Sequence, residues 1–255
     1  MPLELVTVPC LSDNYAYILH DADSGDTAVA DVPDAAPIEA ALKNLGWSLS
    51  HILVTHHHND HIGGVEALRA ATGARVVGAA ADASRLPRLD IAVSPGDTLA
   101  FGTDTLQILD VSGHTIGHIA YFFSNAHVLL SGDSLMALGC GRLFEGTPAQ
   151  MHASLMRMAA LPDDTKICSG HEYTQANARF ALTVDPDNPD LKARAEKVDR
   201  LRKDGHPTVP STLAEEKATN PFLRADDPDI RRRLGMETAT NTEVFAEIRA
   251  RKDRF

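Results

Sequence analysis

The sequence predicts an α+β fold: two sheets packed face to face with helices outside, followed by a helical C-terminal segment. Three observations predict it. Short apolar or alternating runs recur through the first two thirds, separated by Asp, Gly and Ser turns. Helical patterns fall between those runs, which favours layered sheets covered by helices. From about Tyr173 strand signals vanish, Pro recurs and helical patterns dominate.

Glu4 to Val8, Ala16 to Leu19 and Thr27 to Asp31 read as the first strands, and Ile38 to Leu45 as a helix stopped by Gly46. Ile52-Leu53-Val54 is a short buried strand, followed by a helix through Val65, Leu68 and Ala71. Arg75 to Gly78, Asp104 to Asp110, His118 to Phe123 and His127 to Ser131 are further strands. A helix at Ala149 to Leu161 precedes the strand Lys166 to Ser169. Beyond it, Asn188 caps a helix with Pro189 at its first position, and Leu191, Ala195, Val198 and Leu201 form its apolar stripe. Val244, Phe245 and Ile248 form the stripe of a last helix, on which Arg249 and Lys252 share a face. The composition shift divides the chain into 1–172, which carries the sheets, and a helical 173–255.

The bulk properties exclude several classes. No apolar run approaches the ~20 residues that span a bilayer, and the first ten residues carry neither a basic leader nor a cleavage site. Cys10, Cys140 and Cys168 are odd in number and far apart, which fits a reducing compartment; the cytoplasm is the expectation. A net charge of −11 argues against nucleic acid, whose phosphates need a basic surface. It leaves room for a local cationic cluster around a small anion.

The chemistry is concentrated in Thr55-His-His-His-Asn-Asp-His61. His56, His58, Asp60 and His61 are metal-ligand types held where a strand turns into a helix. A purification tag would be terminal and flanked by linker residues, whereas this run is internal and follows an apolar strand. Residues two apart on extended chain point the same way, so His56 and His58 can share one ion. Asp60 and His61 lie past the bend and can face a second. Three strand ends repeat the pattern of Ser-Gly before a ligand type: Ser112-Gly-His114, Ser131-Gly-Asp133 and Ser169-Gly-His171. A single polar residue at a strand end is usually a turn former; three of them alongside the run make a site. With His56, His58 and His114 on one ion and Asp60, His61 and His171 on the other, Asp133 is free to bridge. Ions ~3.5–4 Å apart activate a shared water at neutral pH. No Gly-x-Ser-x-Gly elbow offers another route to hydrolysis.

With these segments in order, the chain resembles the metallo-β-lactamase superfamily and, within it, the glyoxalase II (hydroxyacylglutathione hydrolase) family. Gly139-Cys-Gly-Arg-Leu-Phe-Glu-Gly146, His171-Glu-Tyr-Thr174, Asn220-Pro-Phe-Leu-Arg224 and Arg249-Ala-Arg-Lys-Asp-Arg-Phe255 narrow the match. The resemblance implies a four-layer αβ/βα sandwich, a dinuclear site holding zinc (or iron or manganese), and a helical substrate-binding domain. It also implies a cytoplasmic monomer acting on S-D-lactoylglutathione in the second step of methylglyoxal detoxification. Glutathione contacts map onto Arg142, Tyr173, Arg249 and Lys252, with Asp60 orienting the nucleophile; Arg and Lys suit the two carboxylates of glutathione. Phe144 departs from the family, which often has Tyr there. His57 and His118 match no ligand position. The alternative on the same fold is an iron-dependent glutathione persulfide dioxygenase, which binds one iron through two His and one Asp.

Overall fold

The computed structural model describes residues 3–255, which form two compact units: one of the residues up to Asp110 together with Gly117–Gly132, the other of Val111–Ile116 and Asp133–Phe255. In the first unit a six-stranded sheet runs β1 (Glu4–Cys10), β2 (Asn14–His20), β3 (Thr27–Ala30), β4 (His51–Leu53), β5 (Arg75–Ala79) and β6 (Ile91–Val93), in that spatial order. β1 to β3 are antiparallel, and β3 to β6 are parallel. The parallel part needs crossovers. Helix α1 (Ala35–Leu45) supplies the first, and the short α2 (Asn59–Ile62) with α3 (Val65–Thr72) supplies the second. Asp34 caps α1 through its side chain, and Gly46 ends it in the left-handed conformation.

Side-chain alternation sorts the two faces of this sheet. Ala16, Ile18, Val29, Ile52 and Val76 join Ile38 and Leu42 of α1 and Val65 and Leu68 of α3 in one buried cluster. The opposite face meets a second, antiparallel set: β7 (Thr98–Phe101), β8 (Asp104–Asp110), β9 (Ile119–Phe123) and β10 (Val128–Gly132). Tyr121 of β9 is buried there and donates its hydroxyl to the carbonyls of Val54 (2.8 Å) and Val77 (3.2 Å). β4 is thereby covered on both faces, which is why its sequence is apolar without alternation.

The second unit contributes two short strand pairs, β11 (Leu135–Met136) with β12 (Gly139–Cys140) and β13 (Lys166–Ser169) with β14 (Ser211–Thr212). Its bulk is helical: α4 (Pro148–Ala159), α5 (Thr174–Val184), α6 (Pro189–Lys203), α7 (Leu213–Thr219), α8 (Pro228–Leu234) and α9 (Asn241–Arg254). Thr147, Thr212 and Thr240 each form a reciprocal capping box with a Gln or Glu three residues on. The expected elements are present to within a few residues. β6, β7, β11 and β12 are additions, and β14 shows that strand does not end at Tyr173; these short runs carry too little periodicity to read.

Candidate metal centre

The first unit carries the opening run. β4 delivers Thr55 at its end, and His58 forms the N-cap position of α2, so the run turns from extended chain into helix across six residues. Asp31, at the end of neighbouring β3 with φ 55, ties it down. Its carboxylate accepts from Thr55 N (2.8 Å), Thr55 Oγ1 (2.8 Å) and His61 Nδ1 (2.8 Å). A carboxylate only accepts, so Nδ1 of His61 carries the proton and Nε2 is the nitrogen left for a metal. Asp31, His56 and His61 are buried together with donor atoms within 4.8 Å of one another. Nε2 of His56 lies 3.1 Å from Nδ1 of His58, as two imidazoles sharing one ion require. Asp60 Oδ2 lies 3.7 Å from His61 Nε2, and Asn14 Nδ2 donates to both Asp60 O and Oδ2 at 3.1 Å.

Among the described residues, neither His57 nor His118 belongs to a group of metal-ligand types. His57 Nδ1 pairs with Asp82 at 3.2 Å, and Arg85 holds the other oxygen of Asp82 at 2.6 Å. His118 is buried flat against His56, ring centroids 4.6 Å apart, with Nδ1 on the Ile119 carbonyl. Gly132 makes this packing fit: a Cβ there would meet Thr55 Oγ1 at 2.7 Å and the His118 ring at 2.8 Å.

The second unit carries His114, Asp133 and His171, all buried. Asp133 Oδ2 lies 3.6 Å from His114 Nε2 and 3.3 Å from His171 Nε2, so one carboxylate oxygen addresses two imidazoles. His114 Nδ1 donates to the Arg142 carbonyl at 2.8 Å, which again leaves Nε2 for a ligand role. The His171 ring stacks on Tyr173 at 4.7 Å, nearly parallel. Each unit therefore presents imidazole nitrogens and carboxylate oxygens, a donor set that fits divalent first-row ions.

The expected substrate contacts differ in setting. Arg142 and Tyr173 are exposed. Arg249 is buried: Nη1 donates to the Cys140 carbonyl at 2.9 Å, Nη2 to Asp253 at 2.8 Å, and the guanidinium lies over Phe222. Lys252 is half-buried between the rings of Phe180 and Phe255 and donates to the Ala176 carbonyl at 3.2 Å. Burial first, then the nearby Arg249, Arg179 and Arg142, push its pKa down to about 8. Charge in this cluster is kept partly desolvated, where an arriving carboxylate gains most. All three cysteines are buried, and burial pushes the Cys10 and Cys140 thiols up to about 11 and Cys168 well up, so no thiolate nucleophile is available. Sequence reasoning missed Asp31 and Asn14; the signal for Asp31 was an acid ending an apolar strand, as at Asp133.

The sequence matches the Metallo-beta-lactamase superfamily over residues 23–171 and the Hydroxyacylglutathione hydrolase C-terminus over 172–255. A hydroxyacylglutathione hydrolase of Ruegeria pomeroyi is 62% identical over 255 residues, covering 100% of both chains. Another from Cereibacter sphaeroides is 61% identical with the same coverage. The chain belongs to the hydroxyacylglutathione hydrolase family. Among solved structures, ETHE1 from Myxococcus xanthus superposes with a TM-score of 0.69 at 25% identity, covering 98% of this chain and 90% of that one. The α+β architecture with its C-terminal helical region is thus that of the metallo-β-lactamase fold. No described helix is long and apolar enough to cross a membrane.

Proposed function

We propose that this chain hydrolyses S-2-hydroxyacylglutathione thioesters, converting S-D-lactoylglutathione to D-lactate and glutathione as the second step of methylglyoxal detoxification. We assign it to the cytoplasm as a monomer, with no nucleic-acid or membrane partner, residues 1–172 being catalytic and 173–255 binding substrate. Full-length likeness to hydroxyacylglutathione hydrolases supports the reading, and so does the C-terminal match, which the persulfide dioxygenase alternative does not explain. The observation that carries it is the Arg142 segment. Its carbonyl holds the His114 ring, while its side chain belongs to the cationic group around Lys252.

In this proposal His56, His58 and His114 would hold one ion, Asp60, His61 and His171 the other, and Asp133 would serve both. Two divalent ions, zinc foremost, would supply when bound a water activated at neutral pH and positive charge for the anion that forms on attack. Asp60, held by Asn14, orients the attacking water. Asp31 and the Arg142 carbonyl fix the tautomers of His61 and His114. Arg142, Arg249, Lys252 and Tyr173 bind the glutathione portion, whose carboxylates match guanidinium and ammonium groups. The leaving thiolate is stable enough to depart without a general acid.

The test is hydrolysis of S-D-lactoylglutathione by purified protein, with metal content measured on the same sample. Thioester turnover with two ions per chain is expected. One iron per chain, oxygen uptake with glutathione persulfide and no thioester hydrolysis would overturn the proposal.

A further inference from the structure

The segment from Met136 to Arg142 follows Asp133 and leads into the proposed substrate loop; besides the short β11–β12 pairing, its backbone is held by side chains from distant helices. Asn220 Nδ2 lies 3.1 Å from the Met136 carbonyl and 3.0 Å from that of Gly139. Asn177 of α5 donates to the Ala137 carbonyl at 3.1 Å. Glu216 of α7 accepts from Leu138 N at 2.8 Å, and Arg249 of α9 donates to the Cys140 carbonyl. Leu138 sits at φ 56, a conformation a leucine keeps only where its surroundings hold it.

Glu216 is the centre of this network. It is fully buried and pairs with the buried Arg194 of α6. Its Oε2 also receives Asn220 at 3.0 Å, and Arg194 donates in turn to Thr219 at 2.7 Å. A buried ion pair is poor value as a source of stability, because desolvation offsets most of the attraction, and an apolar pair would serve as well. What an apolar pair cannot do is hold the Leu138 amide and orient Asn220. The held segment also presses on the proposed bridging ligand. Gly141 N donates to Ser134 O at 3.1 Å, and a Cβ on Gly141 would lie 1.9 Å from the Asp133 carbonyl oxygen.

We propose that Glu216 and Asn220 are positioning residues: through the Met136–Gly139 backbone they fix Asp133 and the Cys140–Arg142 strand end for metal binding and turnover. This rests on the functional reading above for the role of Asp133. It gives the Asn220-Pro-Phe-Leu-Arg224 segment a task, since Asn220 holds the loop and Phe222 underlies Arg249.

Glu216→Gln keeps the shape but leaves one acceptor oxygen for Leu138 N and Arg194 together. Asn220→Ser, which keeps a single donor, is the second variant should the first not fold. Val198→Ala, buried on α6 but outside the apolar cluster that packs on Leu138, is the control for lost stability. Three quantities are compared at a temperature where all are folded: amide exchange across 136–140, the rate at which a chelator strips zinc, and kcat against KM for S-D-lactoylglutathione. We expect at least tenfold faster exchange, about tenfold faster metal loss and about tenfold lower kcat with KM within twofold, for Glu216→Gln or Asn220→Ser only. Metal retention and kcat no different from Val198→Ala would overturn the proposal. Exchange and metal loss need no substrate, so wild-type protein that fails to cleave the thioester defeats the functional reading while those two measurements still decide this one.

Discussion

Oδ2 of Asp31 accepts the proton of His61 Nδ1 at 2.8 Å while the same oxygen takes the Thr55 hydroxyl, also at 2.8 Å. One carboxylate on β3 therefore sets both the start and the end of the histidine run. Replacing Asp31 with Ala should free the His61 ring and leave the buried Thr55 amide without its acceptor. Loss of such an outer partner typically costs about 10–100-fold in metal affinity. Chelator competition on the purified variant measures it; affinity equal to wild type would rule out the orienting role.

Asp60 differs in being partly open and held by Asn14 through both its backbone and its side chain. Asp60→Asn should lower metal content and turnover together, because an amide is a weaker ligand than a carboxylate. Asn14→Ala should reproduce a weaker form of the same defect by loosening Asp60. If metal content and thioester turnover are both unchanged in Asp60→Asn, the assignment of Asp60 to an ion is wrong.

How much of this was legible depended on whether the signal was local. The histidine run and the Ser-Gly-ligand strand ends were readable because the ligand types crowd into a few positions beside apolar strands. Asp31 was not, since a lone acid after an apolar strand reads as an ordinary turn residue. Arg249 shows a different limit. Spacing placed it with Lys252 on one face of α9, but its burial depends on Phe222 and the Cys140 carbonyl, 109 residues away in the chain for the latter. Glu216 and Asn220 look like any helix-end polar pair until Met136–Gly139 is folded against them. Long-range side-chain-to-backbone bonds leave no periodic trace in a sequence.

As a proposed glutathione contact, Lys252 should make substrate binding depend on pH. Its folded pKa lies at about 8 against 10.5 for the unperturbed group, lowered first by burial and then by Arg249, Arg179 and Arg142. Below pH 8 both folded and unfolded chains carry the proton, and the cost of burying it is fully present. Between about 8 and 10.5 the folded chain has lost a proton that the unfolded chain keeps, so stability gains from this residue as pH rises. Binding runs the other way, because a carboxylate favours the protonated amine. KM for a glutathione thioester should therefore climb above pH 8, while KM for a small thioester lacking glutathione stays level. Lys252→Arg, charged throughout, should abolish the climb; a climb that survives this change would assign it to another group.

Gly141 gives the sharpest separation of stability from metal binding. Any side chain there places Cβ 1.9 Å from the Asp133 carbonyl oxygen and 3.0 Å from His114 Nδ1, so backbone must move. Gly141→Ala should cost about 1–3 kcal/mol in stability, as overpacking does. Because the displaced atoms belong to two proposed ligands, turnover should fall well beyond what the lost stability explains. Gly205→Ala is the comparison. Gly205 has φ 76 with open space around it, so alanine brings conformational strain of about 1 kcal/mol and no clash. Urea unfolding and metal analysis on the two variants separate the effects: both lose stability, and only Gly141→Ala loses metal. Equal metal content in the two would mean that the Asp133 backbone can yield without disturbing its carboxylate.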